Sequence, residues 1–273
     1  MSLFERIVFA IQREVDTPSL YGPYHLISLF LVILGTLVLC VRLRNAGWGT
    51  VRRILSLSLV TMVILELCKQ LILAMTVEDG MVEWEYSWFS FPYQFCSTPI
   101  YVIPFVIFSP DGRIRNACLA FLSSYSLFAG LGVMLYPGTV FVAHAVIDLQ
   151  TMVHHGLQVM LGIYLAVHER QRLGRRYFFG AAVVFAITVF VALLLNDVMY
   201  HVLTSSGIDQ SFNMFFISPH YTCHLPIVVR IREYLSYPVF LAAYVLGFSL
   251  VAALTHAAVL GIRCAVKRRS ARV

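Results

Sequence analysis

Residues 147–167 read IDLQTMVHHGLQVMLGIYLAV. As an α-helix rising about 1.5 Å per residue, this stretch is long enough to cross the ~30 Å hydrocarbon core of a bilayer. Yet it carries Asp148, Gln150, Thr151, His154, His155 and Gln158. Gln150, His154 and Gln158 stand four apart, as do Thr151 and His155, so two adjoining rows make one polar stripe. An ionisable side chain at mid-membrane costs on the order of 3 kcal/mol. The stripe must therefore face the interior of a bundle. Adjacent His154 and His155 differ by about 100° in direction, so one is expected at the centre and the other against a neighbouring helix.

The rest of the chain has the same apolar character. It is 59% hydrophobic and 12% charged, with a mean hydropathy of +0.80, which excludes a water-soluble domain. The expectation is an all-α polytopic membrane helix bundle of seven transmembrane helices, near 24–41, 54–76, 89–108, 117–135, 147–167, 177–197 and 237–262, in a single membrane domain over 1–273. Pro99 and Pro104 interrupt the third, which a membrane tolerates only where protein or water satisfies the freed carbonyls. Residues 1–16 mix charges among apolar positions and do not read as a signal peptide. Leu3, Phe4, Ile7, Val8 and Ile11 recur at helical spacing, so 1–20 is expected to hold an amphipathic helix at the membrane surface.

Charge sorts the connections. Arg42, Arg44, Arg52 and Arg53 follow the first span, Arg113 and Arg115 the third, Arg170, Arg172, Arg175 and Arg176 the fifth, and Arg263, Lys267, Arg268, Arg269 and Arg272 the seventh. Fifteen of the twenty basic residues thus lie on one side, against Glu78, Asp79, Glu83 and Glu85 on the other. The positive-inside rule puts the N-terminus outside and the C-terminus in the cytoplasm, as for a multi-pass protein of the cell membrane. The net charge of +6 serves topology and anionic lipid headgroups; no basic groove suits nucleic acid. Residues 198–236 are long for a connection and contain FNMFFISPHYTCHLPIVV (212–229), apolar but broken by Pro219, His220, His224 and Pro226. An eighth span would put the basic C-terminus outside, so this is expected to be a re-entrant or surface-lying lid on the outer face. Among the six cysteines only Cys223 falls in an outer loop, and no disulfide framework or zinc spacing appears. No metal and no cofactor is expected.

Span direction gives depth. Lys69 lies about seven residues, roughly 10 Å, from the outer end of its span, and Cys96, His154 and His155 reach a similar depth. Asn196 and Asp197 approach the same layer, and His25 opens the first span. Glu66 and Lys69, spaced i, i+3, are placed to neutralise each other, with Gln70 alongside. This layer supplies the candidate ligand-binding residues His25, Glu66, Lys69, Gln70, Gln94, Gln150 and Asn196. Cys96 is the candidate nucleophile: a thiol beside a His or Lys loses its proton and attacks a carbonyl, whereas one in apolar surroundings is a small hydrophobe.

Four stretches carry a resemblance: WFSFPYQFCSTPIYVIPF (88–105), GLGVMLYPGTVF (130–141), IDLQTMVHHG (147–156) and FNMFFISPHY (212–221). Over roughly residues 20–260 the chain resembles the YwaF-like family of bacterial integral membrane proteins. That family is remotely similar to eukaryotic transmembrane lipid-remodelling acyltransferases that use a Cys and a His within the membrane. The resemblance implies thiol-dependent acyl transfer or hydrolysis on lipid. Where the family carries a His two positions before the Cys, this chain has Gln94, so the base falls to His154 or His155.

Two further function classes compete with a lipid acyltransferase or acyl hydrolase. In the enzyme, Cys96 attacks an ester, His155 or His154 is the base, and Gln94 or Gln150 holds the oxyanion. The alternative is a transporter or receptor-like protein that binds a small polar ligand through Glu66, Lys69 and the histidines. The third is a scaffold with a structural polar core. A retinal-type receptor is disfavoured, because 237–262 contains no lysine.

Overall fold

A computed structural model describes residues 3–12, 14–78, 81–168, 175–222 and 226–270. Apart from one small hairpin its regular structure is helical. Helices α1 (Leu3–Ile11), α2 (Pro23–Arg42) and α3 (Trp48–Leu73) lead into strands β1 (Met75–Glu78) and β2 (Met81–Trp84), antiparallel with Met75 opposite Trp84. Then come α4 (Thr98–Phe108), α5 (Arg113–Phe121), α6 (Leu127–Leu135), α7 (Ala145–His168), α8 (Arg175–Ser205), α9 (Pro226–Tyr234) and α10 (Tyr237–Ser270). A π-helical turn, Leu122–Ser126, joins α5 to α6 without a break, giving one rod over Arg113–Leu135.

Five helices are long and apolar enough to cross a membrane: Pro23–Arg42, Trp48–Leu73, Arg113–Leu135, Tyr177–Ser205 and Tyr237–Gly261. Helix α7, at 24 residues, is as long as these, but its His and Gln residues lower its hydropathy. Three expected boundaries are corrected. The span placed at 89–108 is an α-helix only from Thr98; before it lie two 3₁₀ turns, Trp88–Ser90 and Phe95–Ser97. Pro99 sits in the first turn of α4, where a missing N–H costs nothing, so it starts the helix rather than kinking it. The span placed at 54–76 ends at Leu73, where the chain turns into the hairpin. The connection expected to begin at 198 starts only after Ser205, because α8 runs two turns further. Cys223, His224, Arg170, Arg172, Asp79 and Arg272, which the charge and lid arguments used, lie outside the described residues.

Helix α7 is the axis of the bundle. It packs against α2, α3, α6, α10 and the π turn, and fourteen of its residues are buried. Close approach on the α6 side depends on glycine: a Cβ on Gly130 would lie 2.9 Å from the His155 carbonyl oxygen and 2.8 Å from Gln158 Cβ. In contrast, α2 exposes most of its length, with His25 its one buried residue. An aromatic cluster fills the space between α4, α6, α8 and α10, where Phe95 meets Phe128, Phe185 and Phe248 at ring distances of 6.2, 5.5 and 5.3 Å. The Gln12 side chain ties α1 to the end of α3, its amide donating to the Ile72 and Met75 carbonyls at 2.6 and 2.7 Å.

Candidate functional site

Three polar groups meet around residues 90–97, the irregular segment that precedes α4. The first is the α7 stripe. His154 donates from Nε2 to the Cys96 carbonyl (3.0 Å), and Gln158 donates from Nε2 to the same oxygen (2.6 Å). His155 donates from Nδ1 to the Thr151 carbonyl one turn back (2.7 Å). A carbonyl only accepts, so these bonds assign the tautomers: His154 carries its proton on Nε2 and His155 on Nδ1. The opposite nitrogens, His154 Nδ1 and His155 Nε2, are buried lone pairs with no partner, and so is Gln158 Oε1. The stripe therefore offers three acceptors toward its surroundings. Both histidines are buried, and the rings sit 5.5 Å apart.

The second group is built on Glu66 of α3. Its Oε1 accepts from Lys69 Nζ (2.6 Å) and Gln70 Nε2 (2.8 Å), and its Oε2 accepts from Gln150 Nε2 of α7 (3.2 Å). Gln70 also donates to the Ser90 carbonyl (2.8 Å) and accepts from the Tyr86 hydroxyl (2.5 Å). Burial raises the Tyr86 pKa, which keeps that phenol protonated and donating.

The third group holds the connection after α8. Asn196 donates from Nδ2 to the Met214 carbonyl (3.0 Å) and accepts the Met214 N–H (2.7 Å). Gln94 donates to the Asn213 carbonyl (3.1 Å) and accepts the Phe215 N–H (2.9 Å). Asn213 accepts from Ser218 N–H (2.9 Å) and donates to the Thr222 carbonyl (3.2 Å). Phe215 and Phe216 both take left-handed backbone angles (φ 58°), a strained conformation for bulky residues. Phe212, Met214, Phe215 and Ile217 are fully buried, so this stretch folds into the bundle and packs on Tyr93 and Phe95.

These geometries sort the residues singled out in the sequence. Cys96, His154, Glu66, Lys69, Gln70 and Gln150 come together through the first two groups. The amide groups of Gln94 and Asn196 are engaged by the loop backbone, which leaves neither facing the stripe. Gln150 is engaged by Glu66. His25 uses both ring nitrogens, accepting from Tyr21 N–H (3.0 Å) and facing the Met134 carbonyl (2.8 Å) at the start of α2. Asn213 and Tyr86 were not singled out; each finds its partners through the fold, and nothing in its local spacing marks it. Among the described residues no group of three or more His, Cys, Asp or Glu side chains is arranged to hold a metal ion.

The model of the TMEM164 family matches residues 20–260. The chain belongs to this family. No curated protein and no solved structure matches it. Membership and the five apolar helices make this TMEM164-family chain an integral membrane protein. The matched span contains all three polar groups, from Glu66 to Thr222.

Proposed function

We propose that this chain carries out thiol-dependent acyl transfer or hydrolysis on membrane lipid, with Cys96 as nucleophile and His155 or His154 as base. The observation that carries this reading is the pair of hydrogen bonds that His154 and Gln158 donate to the Cys96 carbonyl. It pins Cys96 to a helix that leaves two imidazole lone pairs without partners. Cys96 lies in the turn leading into α4. The sequence resemblance to lipid acyltransferases points to the same chemistry. Helix α7, long enough to span, and the short α4 bring the five apolar helices to a seven-span bundle in the cell membrane. The basic residues then put the N-terminus outside, the C-terminus inside, and the site in the outer half.

The test is labelling of the purified protein with an acyl-like thiol electrophile. Cys96 is expected to react, and His155→Ala is expected to slow it at least tenfold. Labelling at Cys96 that is unaffected by changing both histidines would overturn the base assignment, and no labelling in the wild type would overturn the chemistry. The competing reading, a binding protein for a small polar ligand, draws on the Glu66 network. It predicts that Cys96→Ser leaves function intact.

A further inference from the structure

We infer that Lys69, rather than Gln94 or Gln150, is the group that meets negative charge in this site: a carbonyl oxygen becoming an oxyanion, or a tetrahedral anion at the head of an acyl chain. The argument is a census of donors. Gln94 gives one N–H to the Asn213 carbonyl and Gln150 one to Glu66 Oε2, so each is anchored to a partner and keeps a single neutral N–H. Gln70 gives its two N–H groups to Glu66 and to the Ser90 carbonyl. Gln158, His154 and His155 donate to backbone carbonyls and turn lone pairs toward the site. An oxyanion placed against that stripe would be repelled.

Lys69 is different in kind. Its ammonium has three N–H donors, and its ion-pair partner among the described residues is Glu66. Its side chain is 18% exposed against 7% for Glu66, so the pairing does not seal it. Glu66 in turn is occupied by Gln70 and Gln150, which spreads its negative charge over two amides and leaves the ammonium less compensated than in an isolated pair. Lys69 belongs to a charged network on α3 that Gln150 ties to α7, the helix whose His154 and Gln158 hold the Cys96 carbonyl. A fixed cation in a water-poor site is worth far more against developing charge than in water.

For the identity of the anion this inference rests on the acyl-transfer reading. There, the imidazole takes the thiol proton and the Cys96 sulfur forms a bond to the ester carbonyl carbon. The C=O π pair moves onto oxygen, where Lys69 donates to it. When that pair returns, the bond to the leaving alcohol breaks and the imidazolium gives its proton to the alkoxide oxygen. Glu66 acts as a positioning residue, holding Lys69 over this point.

The experiment uses dodecylphosphonate, an unreactive tetrahedral anion with an acyl-length chain, and dodecyltrimethylammonium as a same-length cation. Binding to the full chain in nanodiscs is followed by the shift in melting temperature. The wild type is expected to bind the phosphonate and not the ammonium. Lys69→Arg should retain binding, whereas Glu66→Gln/Lys69→Met, which removes both charges together, should lose at least tenfold. Glu66→Gln/Lys69→Gln serves as a second neutral pair should the first not fold. Equal phosphonate binding in wild type and a folded neutral pair would overturn the inference, as would absence of phosphonate binding by the wild type. Cys96 labelling on the same preparation reports the acyl-transfer reading separately: Lys69-dependent binding without labelling sinks that reading and leaves Lys69 as the anion site.

Discussion

Two polar clusters flank the segment 93–97, and they differ in how completely they are satisfied. On the loop side, Asn196, Gln94 and Asn213 each give and take a backbone hydrogen bond, so donors and acceptors are used in pairs. On the α7 side, His154, His155 and Gln158 each make one bond and keep one buried lone pair idle. A buried polar atom without a partner costs roughly 1–3 kcal/mol. A fold has no reason to keep three of them together unless something else uses them. On the proposed function, the closed cluster is architecture and the open one is where a ligand or reacting group belongs. Mutation separates the two: architecture should register in stability, the open cluster in chemistry.

The largest effect is expected from Asn196→Ala. It strips partners from both the N–H and the C=O of fully buried Met214, for a loss of about 4 kcal/mol in total. Thermal unfolding in detergent should show it as a large fall in melting temperature. A wild-type melting temperature would mean that the loop is not held this way and that the closed cluster is not architectural.

Next comes Gly130→Ala. The new methyl group would stand within 3 Å of the His155 carbonyl and of Gln158 Cβ, forcing α6 away from α7 at the level of the stripe. Overpacking of this kind costs about 2 kcal/mol. Since the helix it presses on, α7, carries both His155 and Gln158, Cys96 labelling should fall with stability. A variant that unfolds like wild type but loses labelling would sharpen the comparison, because it would show the open cluster to be more sensitive to position than the fold is.

His155→Leu should do the reverse of Asn196→Ala. The Thr151 carbonyl already belongs to the α7 backbone ladder, so removing the ring leaves nothing newly unpaired and deletes an idle lone pair. Stability is expected within about 1 kcal/mol of wild type, while Cys96 labelling should drop at least tenfold. A loss of stability as large as that of Asn196→Ala would place His155 among the structural groups and dissolve the distinction between the clusters.

How much of this was legible before folding follows the same division. Helices α2, α3, α8 and α10 announce themselves by uninterrupted apolar length, and Glu66–Lys69 by its i, i+3 spacing. That Cys96 and His154 share a depth follows from span direction; the bond between them, to the Cys96 carbonyl, does not. Residues 88–97 misled, since a Pro- and aromatic-rich coil buried inside a bundle is as apolar as a helix, and only its backbone bonds tell them apart. The partners of Gln94 and Asn196 were out of reach for a different reason: both are backbone groups of a loop, and loop backbone carries no residue signature. Side chains that recognise one another leave a trace in spacing; side chains that recognise backbone do not.

The smallest effect tests what imposes the loop's shape. Phe215 and Phe216 share the left-handed backbone region, where a non-glycine residue costs roughly 1–2 kcal/mol. Their surroundings differ. Phe215 is fully buried, its ring 5.8 Å from Tyr93 and 5.7 Å from Phe95, while Phe216 is half-buried. Glycine at 216 relieves the strain and gives up only part of a ring's burial, so the two terms nearly cancel and the melting temperature should stay within about 1 kcal/mol equivalent of wild type. Glycine at 215 relieves the same strain but empties a packed aromatic site, for a net loss of about 2–3 kcal/mol. If the two variants fall equally, ring packing is not what separates them, and the hydrogen bonds from Gln94 and Asn196 alone would then have to hold both residues in that conformation. A Phe216→Gly variant that is also labelled faster at Cys96 would tie the strained loop to access: the backbone that the closed cluster clamps would then be the part that must move for the open cluster to be reached.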